Sequence, residues 1–131
     1  MTGAGGNLGS CSLQTFVPAR DYAVSEAFYR DLGFQVLWRS DELMGFGHGA
    51  CRFLLQNFYV EDLANNFMLF LVVEDLDAWW GRIQASGVLE RYVGVRGKAP
   101  ELYPWGFREI HLIDPSGVLW HIAQRDEVEA A

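Results

Sequence analysis

Cysteine is scarce in this sequence: there are two, Cys11 and Cys51, in 131 residues, and neither belongs to a C-x-x-C pair. That argues against a disulfide framework and against a thiolate zinc site, and it places the chain in a reducing compartment, the cytoplasm. Basic residues are few as well. Ten Lys and Arg stand against 17 Asp and Glu, a net charge of −7, and the ten are scattered. No face can then be built to track phosphates, and nucleic acid is discounted as a partner. Residues 1–10 are glycine-rich, with neither a basic start nor an apolar run, so residues 1–11 read as a flexible leader and no membrane partner is expected. G-x-S-x-G, G-x-G-x-x-G and phosphate-loop patterns are missing, as is any Cys/His nucleophile arrangement. Hydrolase, dinucleotide and nucleotide chemistry therefore receive no support.

What is present is apolar and aromatic. Half of the residues are hydrophobic and 15% carry aromatic rings, enough for one core and too little chain for two. One domain is expected over residues 12–124, with residues 125–131 as a tail. Residues 12–17 read as a strand stopped at Pro18, and Arg20 and Asp21 open a helix with Val24, Ala27, Phe28 and Leu32 on its apolar face, closed by Gly33. A strand over 34–39 and a hairpin of 43–47 with 51–59 complete a βαβββ module, residues 12–59. After a polar connector at 61–65 the order starts again at residue 66: a strand over 66–73, then a helix with Leu76, Trp79, Trp80 and Ile83 on one face, closed by Gly87. A strand over 89–95, a loop over 96–103 and a last hairpin of 107–113 with 118–123 finish the second module, residues 66–124. Asp114-Pro115-Ser116-Gly117 supplies its turn. A shift of 54 residues carries Asp21 onto Asp75, Gly33 onto Gly87 and Phe16 onto Phe70, the mark of an internal repeat.

Several segments, taken in order, resemble the glyoxalase/bleomycin resistance/dioxygenase (vicinal oxygen chelate) superfamily: Val17-Pro18-Ala19-Arg20-Asp21, Ala27 through Phe34, Val73-Glu74-Asp75-Leu76 and Asp114-Pro115-Ser116-Gly117. Ala99-Pro100-Glu101-Leu102 followed by Trp105-Gly106 is similar to its bleomycin-resistance branch. The resemblance implies an α+β fold in which two tandem βαβββ modules form a U-shaped mixed sheet around a pocket, and a homodimer with pockets near the subunit boundary. Apolar sheet edges need such cover.

Enzymes of this superfamily hold a divalent metal with one side chain from the first and the last strand of each module. By the resemblance those positions fall at Gln14, at Leu54 or Gln56, at Met68 and at His121. A thioether and a hydrocarbon are poor ligands for such a metal, so no metal and no cofactor are expected there. The final turn can also set His111 opposite His121 across the hairpin, where the pair has two uses open to it: to hold a metal with Gln14 or Glu109, or to hydrogen-bond each other, Gln14 or water. Trp120 alternates with His121 and faces the helices if the histidine faces the cavity. The resemblance places Trp105 beside a bound drug, and Trp38 is a second ring for stacking. Arg108 can meet an anionic group of a ligand, or pair with Glu109 or Glu101.

The resulting expectation is a metal-free binding protein that sequesters a planar or amphipathic small molecule, with Gln14, Phe16, Trp38, Leu54, Gln56, Met68, Phe70, Trp105, Arg108, His111 and His121 as ligand-binding residues and no catalytic residue. The alternative is a metal-dependent lyase, isomerase, dioxygenase or thiol transferase with an atypical site around His111 and His121.

Overall fold

The computed structural model describes Gly9 and residues 12–126. Most of the expected leader, with Cys11, and residues 127–131 lie outside the described residues. The order is β1 (Phe16–Pro18), α1 (Tyr22–Leu32), β2 (Gln35–Arg39), β3 (Leu43–His48), β4 (Cys51–Gln56), α2 (Glu61–Asn65), β5 (Met68–Val72), α3 (Leu76–Ser86), α4 (Val88–Arg91), β6 (Arg96–Leu102), β7 (Phe107–Ile113) and β8 (Leu119–Arg125). The βαβββ order occurs twice. Each module makes its own four-stranded mixed sheet, ordered β1-β4-β3-β2 and β5-β8-β7-β6, so the first strand of each pairs in parallel with the last.

Local chemistry explains the repeat. Asp21 and Asp75 are the N-caps of α1 and α3, accepting from the backbone N–H of Val24 and Ala78. A short acceptor there satisfies a helix N–H that has no partner within the helix. Gly33 and Gly87 end those helices with φ of 116° and 76°, a left-handed region where a side chain is strained.

The first helix buries a different face from the expected one. Ser25, Phe28, Tyr29 and Leu32 point inward, while Val24 and Ala27 are exposed. Tyr29 decides the rotation. Its hydroxyl donates to Asp114 and accepts from Trp120 Nε1 at 2.8 Å, and its ring packs among Phe28, Phe34, Phe46, Phe53 and Trp120. Asp114 also accepts from the backbone N–H of Ser116 and Val118, and Ser116 Oγ accepts from Arg20 N–H. The turn of the last hairpin thereby clamps one module to the other, and the core lies between them on the helix side of both sheets. Trp120 is buried there, on the face expected from its alternation with His121.

Two expectations for the second module are corrected. Residues 88–91 form a helical turn instead of a strand, because Glu90 N–H and Arg91 N–H bond back to the Gly87 carbonyl. Residues 96–102 are the edge strand β6 instead of a loop; its bulge between Lys98 and Glu101 accommodates Pro100, which has no N–H for a ladder. The connector at 61–65 is the short helix α2. Among the described residues no helix is long and apolar enough to cross a membrane.

Candidate functional site

With the core on the helix side, the opposite faces of the two sheets are left open. Along β5, Met68, Phe70 and Val72 are exposed while Leu69 and Leu71 are half-buried, the two-residue alternation of a strand with one face to solvent. In register beside it, Phe70 pairs with His121, and His121 with His111, as the turn chemistry suggested. The histidines do not bond each other or Gln14. Both meet Glu109: Oε1 accepts from His111 Nε2 at 3.0 Å and from His121 Nδ1 at 2.9 Å, and Oε2 accepts from Trp105 Nε1 at 2.6 Å. Glu109 is 1% exposed. Burial pushes its carboxyl up, but the hydrogen bonds from His121, Trp105 and His111 outweigh that and hold it below its ordinary value.

This carboxylate sets the geometry around it. Trp105 is fixed by its N–H while its ring stays 59% exposed. Tyr103 stacks on Trp105 (5.1 Å between ring centres) and on His111 (5.0 Å), so three flat rings lie in one row. His121 Nε2 lies 3.4 Å from Met68 Sδ. A cavity of about 330 Å³ opens here, lined by Met68, Leu69, Phe70, Trp105, Glu109 and His121. It shares β5 residues with a larger cleft of about 550 Å³ whose walls include Thr15 and Phe53 of the first module and Phe67 and Trp120 of the second.

The other sheet carries the second set. Phe16 pairs with Leu54, Pro18 with Gln56, Gly45 with Leu54 and Trp38 with Gly45, so Phe16, Leu54, Gln56 and Trp38 share one face. Gly45 makes that face possible: a Cβ there would stand 2.3 Å from Trp38 Nε1, so only glycine lets the indole lie on the sheet. Two expected residues stand apart. Gln14 donates to Ser12 Oγ outside the strands, and Arg108 pairs with Asp77 at 3.1 Å, not with Glu109 or Glu101. Arg108 alternates with Glu109 and so projects to the helix side. Glu109 and Tyr103 complete the site. For Glu109 the signal was its spacing of two from His111 on a strand; Tyr103 gave none, since it follows a strand that resembles a loop.

The family model of the Glyoxalase/Bleomycin resistance protein/Dioxygenase superfamily matches residues 12–122. The chain belongs to this superfamily. A bleomycin resistance protein from Klebsiella pneumoniae is 31% identical over 115 residues, covering 84% of this chain and 89% of the relative. A solved bleomycin-binding protein complexed with bleomycin matches with a TM-score of 0.78 and 28% identity, over 89% of this chain and all of that one. The bleomycin resistance determinant encoded on the transposon Tn5 matches with the same score and identity, over 88% and 98%. Superfamily membership raises the question of a metal at the four strand positions, and the residues present do not fit one. Gln14 is turned to Ser12, the first module's last strand offers Leu54, a hydrocarbon, or Gln56, a neutral amide, Met68 is a thioether, and His121 alone is a good donor.

Proposed function

We propose that this chain is a bleomycin-resistance-like binding protein that sequesters a planar or amphipathic small molecule without transforming it. The observation that carries the reading is Trp105: an indole anchored through its N–H to a buried carboxylate, with most of its ring open to solvent. An anchored ring loses little freedom on binding, so a flat ligand gains most of its stacking energy. Tyr103 and His111 stiffen the row, and Phe70 and Met68 wall the adjacent cavity. The relatives named for bleomycin resistance and bleomycin binding support the same class of ligand.

The pocket belongs at the boundary of a homodimer. Phe16, Leu54, Gln56 and Trp38 on one sheet, and Met68, Phe70, Trp105, His111 and His121 on the other, each line one wall of it. β1 and β5 are edge strands with open ladders, and their exposed Phe16, Met68, Phe70 and Val72 favour cover by a second copy. Sequestration needs only affinity, so the poor donors at the four superfamily positions are no handicap, and the cytoplasm is the compartment proposed. Titrating the protein with bleomycin while following tryptophan fluorescence tests the reading. Saturable binding that Trp105→Ala weakens by about 10-fold or more, the loss of an aromatic anchor that the ligand covers, is expected. Unchanged affinity in that variant contradicts it.

A further inference from the structure

The proposed sequestration leaves one arrangement unexplained: His111 Nε2 and His121 Nδ1 both meet Glu109 Oε1, and the three residues each offer a ligand atom within 4.8 Å of the others. We propose that these three atoms form a binding site for a late first-row divalent cation such as zinc or cobalt, distinct from the four strand positions of the superfamily. Only His121 belongs to both sets.

Three observations carry this. The two N···O separations, 3.0 and 2.9 Å, approach the edge of about 3.3 Å of a tetrahedron whose ligands stand about 2.0 Å from zinc. Each residue also has its other polar atom already engaged. Glu109 Oε2 is held by Trp105 N–H, His111 Nδ1 lies 3.5 Å from Tyr103 Oη, and His121 Nε2 lies 3.4 Å from Met68 Sδ. Outer partners of this kind fix ring orientation in metal sites.

The third observation is proton placement. A neutral His121 that donates from Nδ1 to Glu109 leaves Nε2 bare against a thioether, which has no proton to give. A cation on Nδ1 moves that ring proton to Nε2, where the sulfur accepts it. In His111 the proton moves from Nε2 to Nδ1, where the Tyr103 oxygen accepts it. The carboxylate supplies the anionic ligand. Two nitrogens and one oxygen suit zinc, cobalt, nickel or copper better than magnesium or calcium. The fourth coordination position would face the cavity walled by Met68, Phe70 and Trp105.

The test uses untagged full-length protein, stripped with chelator and titrated with Co²⁺, followed by calorimetry and by the visible absorption of cobalt. One cation per chain with tetrahedral cobalt bands is expected. Loss of a ligand should cost more than loss of an outer partner, so His111→Ala and His121→Ala should each weaken binding by more than about 100-fold. Trp105→Phe keeps all three ligands, serves where a histidine variant fails to fold, and should weaken binding about 10-fold. His48→Ala should change nothing. The proposal is overturned by an absence of saturable uptake at millimolar cation, or by uptake that persists in both histidine variants.

Discussion

Tyr29 and Gly45 act over very different distances. Tyr29 is fully buried, and its hydroxyl stands between Asp114 and the Trp120 indole, joining α1 to the last hairpin. Burial pushes the Asp114 carboxyl above its ordinary value in spite of the donors around it, so this corner has little tolerance for losing one. Tyr29→Phe removes a partner from each neighbour and should destabilise the protein by about 1–3 kcal/mol, read as a lower urea midpoint with an unchanged slope. Gly45 matters only through the ring above it. Gly45→Ala must displace the half-exposed Trp38. The expected result is a small change in stability and a loss of ligand affinity of roughly 5-fold, measured by fluorescence titration.

At the scale of elements, the paired caps give a test of the repeat itself. Asp21→Ala and Asp75→Ala each remove the same N-cap hydrogen bond, and each should cost about 1 kcal/mol in chemical denaturation. The caps were legible in the sequence because capping is local: an acceptor three residues from its N–H and a glycine in a left-handed turn carry their own signature. The pairing of His111 with His121 was legible for the same reason, since the turn at 114–117 fixes the register. Elements defined by distant partners were not. The inward face of α1 includes Tyr29 in place of Ala27 because the hydroxyl finds Asp114 across the module boundary. Strand β6 contains Gly97 and Pro100, residues that argue against a strand, and it exists because β7 offers it a ladder. Misreading β6 hid Tyr103. Arg108 could have been separated from the site on alternation alone, as Glu109 and His111 flank the opposite face.

For the whole molecule, the two sheets share a core on their helix side and leave both outer faces open, with Phe16, Trp38, Met68, Phe70 and Val72 exposed on them. A chain built this way should associate. Light scattering should give the mass of two chains, and the thermal midpoint should rise with protein concentration. A concentration-independent monomer would remove the boundary pocket from the proposal. The central claim, that an anchored and open aromatic face holds a ligand without altering it, is tested most directly by calorimetric titration with bleomycin followed by mass analysis of the recovered compound. Saturable binding and an unmodified ligand are expected. No binding heat at any temperature, or a chemically changed ligand, would contradict it.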